Sequence, residues 1–344
     1  MVQTVFRAYD TYLTYAEDTA FGTPGVPDGS LVIGKVQSFL ANMNNNIIPT
    51  QGIGDGRNAT NYVNGIFTLD GSIDFQVAEL DFLQYGFGAE KSGAGTVGDP
   101  FELQEVNAIG YSAGEMPTLT LEVGSDGSGG TNDVMAFDGV AINSMNLDLT
   151  QGQIMTCSMG WVGRSPVSST AIETYVPGSV KLFTFVDGQL KIGANAILEV
   201  VSAKLSVTSS ITTYPTIDSR FIKCPLFGTR RYNFTITVKM TADDGAGELS
   251  YQDLRGLFLN GSTGTTPADT SKFASLGTIS LILTEGAVAG DRTLNFDLEN
   301  TQFQTVGEAV DLGAGVREVT INGFGLAGLS DSTNKVPLRW TVAT

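Results

Sequence analysis

The stretch IFTLDGSIDFQV covers residues 66–77, and the stretch TRRYNFTITVKM covers residues 229–240. In both, apolar side chains alternate with polar ones, and the second pattern follows the first at a distance of 163 positions (77 to 240). Alternation with a period of two is typical of a strand that buries one face. Because a shift of one residue would turn every side chain to the other face of the sheet, the shared phase predicts that residues 67–77 superpose on residues 230–240 in two similar units.

Other features recur at nearly the same spacing. Arg57 and Gly65 have counterparts in Arg220 and Gly228, and DGSLVIG (28–34) is echoed by DGQLKIG (187–193). A segment with helical period follows each strand, at 78–88 and at 248–261. A chain of 344 residues is also long for one core. The sequence therefore predicts a mainly β protein of two tandem β-sandwich or barrel domains, each with one short flanking helix. We expect the domains at 1–165 and 181–344, with a linker at 166–180.

Composition excludes several functional classes. The chain has 36 acidic and 19 basic residues, a formal net charge of −17 and no histidine, so imidazole chemistry and tight binding of nucleic acid by cations are both disfavoured. The Gly-rich stretch GIGDGR (52–57) lacks the following helix of a nucleotide site, and the acidic stretches 124–133 and 241–248 do not match the spacing of an EF-hand loop. We expect free thiols at Cys157 and Cys224. No enzyme activity, cofactor or metal is expected, and no apolar run is long enough to suggest a membrane segment.

Several stretches together carry a resemblance to a known family. AEDTAFGTP (16–24), DGSLVIGKVQSF (28–39), GDGRNAT (54–60) and the alternating strand with its short helix resemble the tail tube proteins of long-tailed bacteriophages and tailed archaeal viruses. The resemblance implies a small β-sandwich whose copies close a continuous barrel around a channel, in rings that stack into a tube. It also implies that a duplicated member forms trimeric, pseudo-hexameric rings.

The function implied by the resemblance is that of a structural virion protein. Its copies would assemble in the host cytoplasm into the virion tail, and genome DNA would pass through the tube without being tightly bound. The chain itself is the main expected partner, with tape measure, tail terminator and baseplate or tip proteins as further ones. The alternative is a β-rich surface-layer or adhesin-type assembly protein. A secretion signal would favour that alternative, and the first residues show none; an enzyme ranks third.

Two sets of candidate site residues follow. The segments 47–65 and 211–228 carry apolar residues with little regular period, which a soluble monomer would normally keep polar. We expect them to contact a neighbouring subunit, with both arginines pairing acidic groups there. The predicted interface residues are Ile48, Ile53, Arg57, Tyr62, Tyr214, Ile217, Arg220 and Phe221.

The second set concerns the channel. Asp70, Asp74 and Asp148 lie on the polar side of their strands, and we expect them to line a lumen of net negative charge, with local basic positions at Arg231 and Lys239. The competing interpretation is that these acids face solvent outside. The long segment 88–116 is expected to form an extra surface excursion of one copy.

Overall fold

The computed structural model describes residues 11–29, 31–53, 57–59, 61–78, 81–87, 90–92, 101–104, 118–127, 131–169, 171, 181–197, 199–240, 248–260, 277–285, 292–308, 317–326 and 338–343. The protein is mainly β, as the sequence predicted. Its strands are β1 (Thr11–Glu17), β2 (Lys35–Asn44), β3 (Ile47–Thr50), β4 (Asn61–Asn64), β5 (Thr68–Gln76), β6 (Glu90–Ser92), β7 (Phe101–Gln104), β8 (Leu119–Gly127), β9 (Thr131–Thr150), β10 (Thr156–Gly163), β11 (Ser165–Ser169), β12 (Gly188–Ile192), β13 (Asn195–Ala196), β14 (Val200–Thr216), β15 (Ser219–Lys239), β16 (Ile279–Thr284), β17 (Thr293–Leu298), β18 (Thr301–Glu308), β19 (Glu318–Gly325) and β20 (Leu338–Ala343).

The largest sheet contains a path of eight strands in the order β18-β19-β15-β14-β9-β10-β5-β2. Four of these strands come from the first half of the chain and four from the second, and antiparallel pairing of β14 with β9 joins the two sets. The predicted strand at 67–77 is β5, and the one at 230–240 lies in β15. The sequence suggested two separate cores, whereas backbone hydrogen bonds run through both halves.

Strand β9 belongs to two layers. Its first half pairs with β8 and β11, and its second half pairs with β10 and β14. Between the two halves, Gly139 has a φ of 62°, a left-handed conformation that glycine adopts at low cost. The strand thus leaves the outer layer, which also contains β1, and enters the eight-stranded path.

A second sheet has the order β13-β12-β16-β17-β20-β7-β6. Its buried residues, such as Leu283 and Phe296, belong to one hydrophobic cluster with Leu147 and Ile236 of the eight-stranded path. Strands β6 and β7 come from the segment 88–116, and β7 pairs with β20, with Leu103 opposite Trp340. The described part of this excursion therefore joins the sheet of the other half; its remaining residues lie outside the described ones.

Both predicted helices are present, as α1 (Leu83–Phe87) and α2 (Tyr251–Asn260). Helix α1 buries Leu83 and Phe87 in the core. At the start of α2, the backbone N–H of Ser250 donates to Asp253 Oδ2 at 2.9 Å, and the backbone N–H of Asp253 donates to Ser250 Oγ at 3.4 Å, which is the reciprocal arrangement of a capping box.

The echo between residues 28–34 and 187–193 does not mark equivalent places. Residues 31–34 form no strand beyond a single bridge of Val32 to Thr14, whereas residues 188–192 are β12, with Leu190 opposite Leu281 of β16. The same letters serve different roles because a short Asp-Gly turn before an apolar pair suits many strand starts. In the predicted linker, residues 166–169 belong to β11, which pairs with β9, and residues 172–180 lie outside the described part of the chain.

Asp18, within the AEDTAFGTP stretch, is a buried carboxylate with four donors. Thr120 and Thr118 donate their hydroxyls at 2.6 and 2.7 Å, and the backbone N–H groups of Gly25 and Gly139 donate at 3.1 and 3.2 Å. A buried charge is tolerated only when its lone pairs are occupied in this way. The carboxylate therefore ties the end of β1, the following loop, β8 and the bend of β9 together.

Candidate assembly interface

The eight-stranded path ends in two edges. Among the described residues, β2 pairs only with β5, and β18 pairs only with β19. On β2 the side chains of Leu40 and Met43 are 51% and 48% exposed. An edge strand offers a row of backbone donors and acceptors, and soluble proteins usually protect such an edge with charges, prolines or a covering element. An edge of ten residues that carries exposed apolar side chains is suited to pairing with another strand.

The chain contains an internal example of such pairing, which we call the seam. Here β14 runs antiparallel to β9 from Ser202 opposite Thr150 to Thr208 opposite Ser144. The Nζ of Lys204 lies 2.5 Å from Asp148 Oδ2 on the polar face of the seam. Apolar pairs, such as Val207 with Met145, alternate with these polar pairs and complete the buried face.

The register of β2 on β5 matches that of β14 on β15. Phe39 lies opposite Ile73, and 164 residues after Phe39, Ala203 lies opposite Ile236. The register also shifts at matching places, between Val36 and Ser38 in β2 and between Val200 and Ser202 in β14. Because its paired residues and its register shift lie at the same positions as those of β14, strand β2 corresponds to β14.

Strand β18, at the opposite edge, also has a counterpart at the seam. The pairing of β9 with β10 shifts where Trp161 lies opposite Ile142, and the pairing of β18 with β19 shifts where Gly323 lies opposite Phe303. Strand β18 thus corresponds to β9, with Val306 in the position of Met145. The two free edges are the counterparts of the two strands that pair at the seam.

The two halves differ in one detail of packing that the sequence of neither half reveals by itself. In the first half Trp161 of β10 lies opposite Gly71 of β5, while in the second half Phe234 of β15 lies opposite Gly323 of β19. A Cβ on Gly71 would lie 2.5 Å from the Trp161 ring, and a Cβ on Gly323 would lie 2.3 Å from the Phe234 ring. Each half thus packs one aromatic ring against one glycine, but the strand that carries the ring differs between the halves. This correspondence can be recognised only when the register of the strands is known.

The predicted interface residues lie mostly on two hairpins. One hairpin is formed by β3 and β4, and the other by the ends of β14 and β15, which meet at residues 217 and 218. Ile53 and Ile217 are fully exposed, and both stand at the hairpin ends. Three further predicted residues are more than half exposed: Ile48, Tyr62 and Tyr214.

Arg220 and Phe221 instead make contacts within the chain, against the first half. Arg220 Nε donates to the carbonyl oxygen of Gly65 at 3.2 Å, and its Nη2 donates to Asn45 Oδ1 at 3.0 Å. The N–H of Phe67 donates to the carbonyl of Arg220 at 2.8 Å, and the rings of Phe67 and Phe221 are 5.6 Å apart. The expected acidic partner of Arg220 is replaced here by amide and carbonyl oxygens, while Arg57 is exposed.

Asp70, Asp74 and Asp148 do share the polar face of the eight-stranded path. Hydrogen bonds from Ser158 and then Ser38 hold the pKa of Asp74 below its usual value, with Ser38 Oγ at 2.5 Å. Outside the first half of β9 and the hairpin residues 211–228, the charged side chains at polar positions in the described part of the paired strands are Asp70, Asp74, Asp148, Glu318, Lys35, Lys204, Arg231 and Lys239. Acidic and basic groups balance on this face, and Ser, Thr and Asn fill most of the remaining positions.

The described residues offer little for other kinds of chemistry. They contain no cluster of three or more His, Cys, Asp or Glu side chains that could hold a metal ion. Within the same residues, no helix is both long enough and apolar enough to span a membrane. Cys157 is buried and Cys224 is half-buried, and both are free thiols.

The chain is similar to a known protein family. The model of the family described as phage tail tube protein matches residues 8–301. No curated protein matches the chain.

Proposed function

Since the chain belongs to the phage tail tube protein family, a family of structural, non-enzymatic proteins, we propose that its copies close into trimeric, pseudo-hexameric rings. In each ring the β2 edge of one copy pairs with the β18 edge of the next. Stacked rings then form the tube of the virion tail, through which genome DNA passes.

The observation that carries this proposal is the correspondence between the free edges and the seam. Pairing β2 with β18 of the next copy repeats the pairing of β14 with β9, with Met43 in the place of Val207 and the partner subunit's Val306 in the place of Met145. The contact would bury Met43, on the apolar face of β2, and leave neither end of the eight-stranded path open.

The same correspondence supports two repeated units, at 1–165 and 181–344. Each unit contributes four strands to the path in the same order, β9-β10-β5-β2 and β18-β19-β15-β14. Three chains would then supply about 24 strands to one closed sheet, more than the 16 to 18 with which β-barrels already enclose an aqueous channel. Because the apolar face of the path packs into the core, its polar face would line that channel.

The composition of this face suits a passing cargo. A lining rich in unpaired lysine and arginine would hold the duplex at many phosphates. Here basic groups are matched in number by acidic ones, and Lys204 is paired with Asp148. We therefore propose that Asp70, Asp74 and Asp148 face the lumen within a lining that is close to neutral, rather than the net negative one expected from the chain's total charge.

The exposed hairpin residues provide the remaining contacts of this proposal. The isoleucines at the two hairpin ends, Ile53 and Ile217, would contact the adjacent ring, since apolar side chains that are fully exposed in one copy gain most from burial by another. The surfaces at the two ends of the finished tube would be left for tape measure, terminator and baseplate proteins.

Ring closure can be tested at the β2 edge. Met43→Lys places a charge where the proposal buries an apolar side chain, so the variant should remain folded but fail to form rings in negative-stain micrographs. Val186→Lys, at an exposed site away from both edges, is the control and should assemble normally. Native mass spectrometry of the wild-type rings should give three chains. Wild-type protein without rings, or normal rings from Met43→Lys, would overturn the proposal.

A further inference from the structure

We propose that the β3–β4 hairpin of each copy clasps the next copy in the same ring, in the way that the β14–β15 hairpin clasps the first half of its own chain. This inference rests on the proposed ring. It assigns a partner surface to Arg57, which is exposed in the single chain: the segment around Ser209 and Gly228 of the partner subunit.

The argument starts from the direction of the internal contacts. At the seam, β14 pairs with β9, and the hairpin that extends from β14 and β15 reaches over to Gly65 and Phe67 in the same first half. Both contacts are made by the second half on the first. If β2 pairs with the next copy in the way that β14 pairs with β9, the β3–β4 hairpin that follows β2 must reach the second half of that copy.

The residues on the two hairpins correspond. Arg57 precedes Arg220 by 163 positions, the same offset that separates equivalent residues of β5 and β15. Both arginines flank a hairpin end that carries an exposed isoleucine. Arginine suits this contact because its guanidinium can donate to two oxygens at once, as Arg220 does to Gly65 and Asn45.

The receiving surface is also repeated. Gly65 and Gly228 occupy the same position, and each is approached closely by the opposite strand. A Cβ on Gly65 would lie 2.5 Å from the Asn46 carbonyl oxygen, and one on Gly228 would lie 2.3 Å from the Ser210 hydroxyl. The acceptors that Arg220 uses on this surface include a backbone carbonyl, which the partner can supply whatever its side chains are.

Two positions distinguish the two versions of the contact. Inside the chain, the rings of Phe67 and Phe221 meet edge to face at the clasp, while the corresponding positions between copies hold Arg230 and Asn58. The pair inside the chain is apolar and the pair between copies is polar, as at the rim of an interface that forms between separately folded chains. This difference is expected if the first clasp is permanent and the second forms on assembly.

Crosslinking tests the placement. Asn58→Cys with Arg230→Cys, in a Cys224→Ser background, should be joined between chains by a short bismaleimide in assembled tubes, and the denatured products should end at three chains. The matched control, Phe67→Cys with Phe221→Cys, should crosslink only within chains. Rings of three chains without this crosslink, or with a ladder that continues beyond three chains, would overturn the clasp and leave the ring proposal standing. Absence of rings from the wild type would instead overturn the ring.

A second measurement does not depend on cysteine geometry. Arg57→Ala should leave the urea midpoint of the unassembled chain unchanged and raise the concentration needed for half-maximal assembly about tenfold, the loss expected for a hydrogen-bonded charge. Arg220→Ala should lower the urea midpoint, because its contacts are within the chain. Lys223→Ala, an exposed cation on β15, controls for charge and should change neither value. Assembly of Arg57→Ala at the wild-type concentration would contradict the clasp.

Discussion

Replacing Asp18 with alanine should destabilise the chain more than any loss of a surface charge. The substitution removes the acceptor of two hydroxyls and two backbone N–H groups at 2.6 to 3.2 Å, and Asp18 is only 3% exposed. A hydrogen bond to a charged group contributes about 1.5–3 kcal/mol, and such bonds are not additive within one network. We expect a loss of about 3–5 kcal/mol in the free energy of unfolding, a large share of the stability of a typical domain.

The assay is urea unfolding of the unassembled protein, followed by tryptophan fluorescence, since Trp161 is buried in the first half. Asp18→Asn should lose less than Asp18→Ala, because the amide oxygen still accepts from one side of the network while the NH₂ group faces donors on the other. Asp133→Ala, at an exposed position of β9, should change stability by about 0.5 kcal/mol or less. A loss below about 1 kcal/mol for Asp18→Ala would refute the view that this carboxylate holds β1, β8 and β9 together.

Two further predictions concern titratable groups in the sheet. Burial, followed by the nearby charge of Asp74, raises the pKa of Cys157, so Ellman's reagent should label Cys224 in the native protein and Cys157 only after unfolding; rapid labelling of both would contradict the burial. Since Ser158 and Ser38 lower the folded-state pKa of Asp74, its carboxylate stabilises the fold above the unfolded-state pKa, and this contribution disappears as the pH falls through the folded-state value. Ser158→Ala should therefore cost about 1 kcal/mol or less at pH 7 and nothing well below pH 3.8 in urea titrations, and an equal cost at both pH values would exclude this cause.

The sequence predicted those features that depend on one strand at a time. Burial of one face imposes alternation, so the phase of Phe75 and Val238 could be derived without a partner. Both short helices were found for the same reason. The alternation of apolar residues could not predict which strands are neighbours. No periodicity indicates that Val207 lies opposite Met145, because a strand with one apolar face can pair with any other strand of matching phase.

The candidate site shows the same limit. Ile53 and Ile217 were predicted as interface residues from apolar character alone, and both are fully exposed in the single chain. Arg220 and Phe221 have the same character, yet they contact Gly65 and Phe67 of their own chain. Sequence could not separate the two cases, because a surface that is covered by the other half of the chain resembles one that is covered by another copy.

In the proposed ring, the unlike edges of the eight-stranded path give growth a direction. A contact between β2 and β18 is head-to-tail, and such contacts close only when each addition turns by the correct angle; otherwise they continue as an open spiral. Irregularities in pairing bend and twist a strand locally. One lies after Val36 at the start of β2, and another lies after Val200 at the start of β14, the counterpart of β2 at the seam. Removing one extra residue there should straighten the wall, so in the proposed ring the bore of the tube depends on single-residue irregularities such as these.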